Sequence, residues 1–259
     1  MVSEAEYKLA QVVPGPIKAI VRPFFRIWKK RKLQKSMLKF HRQFVGVDDL
    51  VFDIGANIGT YSAMFTKLKA RTIALEPHPG CVEGLRGKFA GHDLVTIVPK
   101  GVGDREGELL FTVNNETSTH STFSESYRED SRYRDEKWGE QISVEVTTLD
   151  ALIAEYGIPD YCKIDVEGFE KQVIEGLSRP IPLLSLEFHS EFPEDIEYCT
   201  EQLETMGECR YRYSRGHEFN LVPEQWISRD ELLEEIKGLK PIGDTGAAGD
   251  IYVKMDANS

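Results

Sequence analysis

The stretch VFDIGANIGTYS, residues 51–62, constrains this chain more than any other. An apolar strand ends at Asp53, Gly55 and Gly59 bracket a tight turn, and a helix begins near Ile58. Glycine lets the backbone approach a ligand, and a helix N-terminus offers free N–H groups. The next apolar run, RTIALE, ends at Glu76, placed to accept both hydrogen bonds of a ribose diol. A nicotinamide dinucleotide normally asks for G-x-G-x-x-G. Here the spacing is G-x-x-x-G after an acid. That suits a cation without phosphate, such as the sulfonium S-adenosylmethionine, better than a pyrophosphate. A glycine turn with no cofactor is the plain alternative.

The rest of the chain alternates strands and helices. Leu50–Ile54, Arg71–Glu76 and Leu94–Val98 read as strands, with helices over Ile58–Leu68 and Pro79–Phe89 between them. Strands follow at Glu108–Val113 and Ile142–Thr147, then a helix at Leu149–Tyr156 and a strand at Tyr161–Asp165. Phe169, Val173, Ile174 and Leu177 mark a helix before the strand Leu183–Phe188, and Glu194–Met206 is the next helix. Arg210–Tyr213 and Glu218–Val222 form a hairpin pair, Ser228 and Glu231 a capping box, and Asp250–Met255 the last strand. This alternation means βαβ units and a parallel sheet. Residues 114–141 break it with a polar insertion lacking an apolar face, in which Phe123, Tyr127, Tyr133 and Trp138 are interleaved. Such a loop is expected to cover a substrate.

Acids end the strands that should border the crevice. Asp104, after the third strand, could accept from an adenine amine or simply serve a turn. In CKIDVEGFE, Asp165 closes a strand, and Asp165, Glu167 and Glu170 repel one another unless a cation is near. In SLEFH, strand alternation puts Glu187 and His189 on one face and Phe188 on the other. Asp165, Glu187 and His189 are therefore expected to converge on the crevice, although a satisfied strand-end histidine is the bland alternative.

The series VFDIGANIGTYS, ALEPHP, VTTLDAL, CKIDVEGFE and SLEFH, over about residues 48–190, resembles the FkbM-type family of S-adenosylmethionine-dependent methyltransferases. The resemblance implies an α/β, Rossmann-like class I methyltransferase fold: a doubly wound seven-stranded sheet with a reversed last strand. It implies O-methyl transfer to a hydroxyl of a sugar, glycan or polyketide product. On this sequence it places Asp53, Gly55, Ala56, Asn57 and Gly59 at the cofactor loop and Glu76 at the ribose. Lys163, Asp165, Glu167 and Gly168 match the KID-x-EG signature, and Glu187 and His189 close the fifth strand. His189 is the expected base, assisted by Asp165 or Glu187; alternatively the three hold Mg2+ or Mn2+. A nicotinamide oxidoreductase and a non-catalytic module of the same fold stay open as alternatives.

Charge divides the chain at Val47–Asp48. Residues 1–47 hold 11 Lys and Arg against Glu4 and Glu6, whereas the chain as a whole carries −11. The expected organisation is a basic N-terminal helical segment, 1–47, and a methyltransferase domain, 48–259, with the insertion at 114–141. Ile17, Ile20, Val21, Phe24 and Trp28 fall at helical spacing with Pro23 at a first turn, so 17–42 reads as an amphipathic helix. It is expected to pack on the body, with peripheral contact to an anionic membrane as the alternative. An acidic body speaks against nucleic acid as partner. Four cysteines without CxxC, no signal sequence and no run of ~20 apolar residues point to a cytoplasmic protein.

Overall fold

A computed structural model describes residues 28, 31–114, 120–216, 218–239 and 248–257. The proposed pattern at Ile17, Ile20, Val21 and Phe24 lies outside the described residues. Five parallel strands form the centre of the molecule: β1 (Leu50–Ile54), β2 (Arg71–Leu75), β3 (Val95–Val98), β7 (Tyr161–Ile164) and β8 (Leu183–His189). Every residue of β1 and β7 is buried, which is why both read as continuous apolar runs: helices cover the two faces of the sheet. From β1 the chain moves outward through β2 to β3, then returns to the other side of β1 with β7 and β8. The order reverses between β1 and β7, and a ligand crevice opens at the C-terminal strand ends there.

The far edge is antiparallel. β11 (Ala248–Ala257) inserts in reversed direction between β8 and β9 (Gly207–Arg215). This is the reversed last strand, but the sheet has eight strands rather than seven. β10 (Val222–Ile227) adds to its edge by pairing with β9, beginning where the expected hairpin arm was to end. A separate three-stranded sheet joins β4 (Gly101–Val102), β5 (Gly107–Thr112) and β6 (Gln141–Thr147). It carries the insertion on one side of the crevice.

Among the helices, α1 spans 31–41. The others are α2 (Thr60–Lys67), α3 (Pro79–Lys88), α4 (Glu125–Asp130), α5 (Leu149–Tyr156), α6 (Glu170–Glu175), α7 (Pro193–Met206) and α8 (Arg229–Lys237). The α8 capping box forms as its sequence predicts. None of the described helices is long and apolar enough to cross a membrane. The insertion is less irregular than its composition suggests: α4 lies inside it, and Tyr127 is fully buried.

The end of α1 docks on the body. Met37, Phe40, His41 and Val45 are buried against Val51, Phe65, Tyr161 and Tyr252, while residues 31–36 are exposed. Phe40 meets Phe44, Tyr252 and Phe219 with ring centroids 5.4, 5.5 and 5.9 Å apart. His41 donates from Nδ1 to the Met37 carbonyl at 2.9 Å, and burial pushes its pKa down to about 4, so the ring is neutral at pH 7. Phe40→Ala should therefore cost about 3 kcal/mol, whereas Leu33→Ala on the exposed part should stay within about 0.5 kcal/mol. Urea unfolding checks both; equal effects would mean that α1 does not pack as described.

Candidate active site

The glycine turn between β1 and α2 is fixed by the strands on both sides of it. Gly55 and Ala56 donate their backbone N–H groups to the Leu75 carbonyl at 3.0 and 2.9 Å. Gly55 has φ 82°, and a Cβ there would lie 1.8 Å from the Asp165 carbonyl oxygen. Only glycine lets the ends of β1 and β7 meet this closely. Glu76, just beyond β2, then ties the loops together. Its carboxylate accepts from the Asn57 N–H and the His78 N–H, both at 2.7 Å. Burial pushes the Glu76 pKa up to about 7, against the pull of those two bonds.

A cavity of about 420 Å3 opens above these strand ends. This is within the range of small-molecule sites. Gly55, Ala56, Asn57, Glu76, Asp165, Glu167 and Glu187 of the expected set line it. Asp53, Gly59, Asp104 and His189 do not. Asp53 lies beneath the turn, where it accepts from Ser62 Oγ at 2.5 Å and burial raises its pKa. Gly59 packs on α3: a Cβ there would sit 2.5 Å from Leu85 Cδ2. Asp104 lies in the turn between β4 and β5, where its carboxylate is 3.4 Å from Arg105.

His189 also needs correcting. It is buried behind Glu187, in a small pocket outside the main cavity, with its Nδ1 engaged and its Nε2 without a hydrogen-bond partner among the described residues. Arg132 Nη2 lies 2.9 Å from Nδ1, and Nε2 lies 3.3 Å from Glu187 Oε2. A guanidinium can only donate, so Nδ1 is the acceptor and the neutral ring carries its proton on Nε2, which makes no hydrogen bond to Glu187. In that tautomer Nε2 has no lone pair for an acceptor hydroxyl. Donor atoms of Glu167, Glu187 and His189 lie within 4.8 Å of one another, but a protonated Nε2 is no ligand.

Three carboxylates at the β7 and β8 ends share this side of the cavity. Burial works against the Asp165 charge, but Lys163 Nζ at 2.5 Å outweighs it and holds the Asp165 pKa below its usual value. Burial and then the neighbouring acids push Glu167 and Glu187 well above theirs. Three acids so placed, with one lysine between them, fit a cationic ligand in the cavity. Glu170, grouped with them in sequence, turns away and accepts from the Val166 N–H at 3.0 Å.

The insertion contacts the acids. The Tyr127 hydroxyl donates to Glu167, Thr122 Oγ1 donates to the Glu167 carbonyl at 2.7 Å, and Arg132 forms a two-pronged contact with Glu191 at 2.9 and 3.2 Å. Phe111, Phe123, His120, Ser121 and Tyr133 complete the cavity wall. The sequence did not assign these five to the site. Only the interleaving of aromatics through a polar stretch signalled them, and it did not say which would face inward.

The Methyltransferase FkbM domain model matches residues 53–213. The hexuronic acid methyltransferase AglP of Haloferax volcanii is 24% identical over 200 residues, 73% of this chain and 77% of that protein. The methyltransferase sdnD of Sordaria araneosa is 31% identical over 155 residues, 49% of this chain and 60% of that protein. Among solved structures, the precorrin-6Y C5,15-methyltransferase of Geobacter metallireducens superposes with a TM-score of 0.43 at 14% identity, covering 86% of this chain and 87% of that one.

Glu76 gives the site a measurable pH signature. Its pKa is about 7 when folded against an ordinary value of 4.5, so the folded state holds more protons between those values. The associated stability is fully present below pH 4.5 and lost as pH rises through 7. His41 acts in the opposite sense, but only between pH 4 and 6.5. From pH 6.5 to 8.5 the ligand-free protein should therefore lose stability in urea, and Glu76→Gln should lose less over the same range. Parallel curves for the two proteins would contradict a buried, proton-holding Glu76.

Proposed function

Because this chain belongs to the FkbM methyltransferase family, we propose that it transfers a methyl group to a hydroxyl oxygen of a sugar. It is an S-adenosylmethionine-dependent methyltransferase. The observation that carries the finer reading is the acid-walled cavity closed by a polar, tyrosine-bearing lid. The acids suit the cationic donor, and the lid offers hydrogen-bonding groups and an aromatic face to a polyhydroxylated acceptor. The likeness to a hexuronic acid methyltransferase over 73% of the chain supports a sugar as acceptor class.

The cofactor, when bound, supplies an electrophilic methyl group on a sulfonium. The protein's part is positioning and charge. The Gly55–Asn57 turn approaches the ligand with backbone alone, and Glu76 has carboxylate lone pairs left to accept from ribose hydroxyls. Asp165 presents its negative charge to the donor, and Glu167 and Glu187, which burial and neighbouring acids favour in protonated form, give up their protons more readily beside positive charge. His189 stands behind Glu187, with its Nδ1 taken by Arg132 and its Nε2 3.3 Å from the Glu187 carboxylate. The lid contacts made by Thr122 and Tyr127 exclude water and favour in-line alignment of donor and acceptor.

Calorimetry should detect binding of S-adenosylhomocysteine and none of NAD. Glu76→Ala should weaken S-adenosylhomocysteine at least about tenfold, since each orphaned buried group costs ~1–3 kcal/mol. Labelled methyl should pass from S-adenosylmethionine to p-nitrophenyl β-D-glucuronide or to the neutral p-nitrophenyl hexosides. Homocysteine-product binding with no label in any glycoside would reject the sugar acceptor and leave the methyl donor standing.

A further inference from the structure

One group in the cavity has the chemistry of a base and no part in the arrangement above. His120, on the insertion, lines the same cavity as Gly55, Glu76 and Glu187. Its Nδ1 lies 2.8 and 2.9 Å from the two oxygens of Glu136. Asn114 Nδ2 donates to Glu136 Oε2 at 2.7 Å, so the carboxylate is itself oriented. The Tyr133 ring covers the imidazole at a centroid distance of 4.2 Å and fixes its plane. A carboxylate can only accept, so Nδ1 carries the proton and Nε2 keeps its lone pair. Nε2 makes no hydrogen bond with the described residues. The contrast with His189 is chemical. An arginine holds His189 as an Nε2–H donor, whereas a glutamate holds His120 as an Nε2 acceptor.

We propose that His120, oriented by Glu136, is the general base that takes the proton from the acceptor hydroxyl; this rests on the methyl-transfer reading. As the acceptor oxygen attacks the methyl carbon, the O–C bond forms and the S–C bond breaks, its electron pair passing to sulfur. The hydroxyl proton passes to His120 Nε2. The sulfonium charge disappears as the imidazolium charge appears, so the net charge of the cavity is unchanged. Glu136 stabilises the new cation. The His120 side chain is 19% exposed and returns the proton to solvent. Glu136 is a positioning residue: it sets the tautomer and touches no substrate.

The tautomer is measurable without any acceptor. The chain holds six histidines, and 15N-histidine spectra of the full-length protein with S-adenosylhomocysteine, assigned by difference with His120→Gln, isolate the His120 signals. The expected spectrum shows a protonated Nδ1 and a bare Nε2; a protonated Nε2 in the neutral ring overturns the proposal. Glu136→Ala should move the population towards Nε2–H, and an unmoved tautomer equally rejects the role of Glu136. On the p-nitrophenyl glycoside that accepts label, His120→Gln should bind S-adenosylhomocysteine within about twofold of the parent and turn over about 10²-fold more slowly. Turnover within a few-fold of the parent removes His120 as base. Failure of the parent protein to bind S-adenosylhomocysteine would instead sink the methyl-transfer reading, whatever the tautomer.

Discussion

Lys163 places a positive charge where solvent scarcely reaches, near the C-terminal end of the central strands. A buried charge is tolerated only when paired and hydrogen-bonded. Its ammonium meets Asp165 at 2.5 Å and lies 4.3 Å from the centre of the Tyr61 ring. Burial works against that charge, but Asp165 and then Tyr61, Asp250 and Asp53 outweigh it and keep the pKa well above the ordinary value. One lysine thus makes a whole group of acids affordable. Removing the lysine would leave Asp165 among acids already pushed towards protonation.

The geometry of the crevice follows from that ion pair. Asp165 is held at the end of β7, and its carbonyl oxygen stands where a side chain on Gly55 would have to go. The Gly55 turn in turn shares the Leu75 carbonyl with β2, and Asn57 passes its N–H to Glu76. Three strand ends are locked together by backbone contacts, so the floor of the site is rigid. Lys163 also faces Tyr61, whose ring lies 5.5 Å from His41 on α1. The basic N-terminal helix is therefore packed directly behind the cavity wall.

The lid divides the labour of the site. The floor is acidic and holds carboxylates with raised pKa values, the chemistry wanted around a cationic donor. The insertion contributes the nitrogen base, the aromatic wall and the closing contacts to Glu167. Two histidines of identical chemistry take opposite roles because their partners differ in charge: Arg132 for one, Glu136 for the other.

Much of this was written locally and could be read from the sequence. Strand and helix periodicity gave the parallel sheet, because burial on both faces of β1 and β7 requires apolar runs. The Gly55 turn, Glu76 and the Asp165–Glu187 pair were legible because each sits at a strand end, and topology places strand ends at the crevice. What the sequence could not decide depended on side-chain partners far away in the chain. His189 looked like the base until the structure set Arg132, 57 residues away, on its Nδ1. His120 stayed invisible within a polar insertion until Glu136 and Tyr133 folded around it. Asp104 reads as an adenine ligand in the sequence, but it lies in the turn between β4 and β5 beside Arg105 and is not among the cavity's lining residues. Sequence alone fixes backbone periodicity and turn chemistry, which are local. Only the tertiary structure fixes which nitrogen carries a proton and which side chain faces a cavity, because those depend on contacts between distant segments.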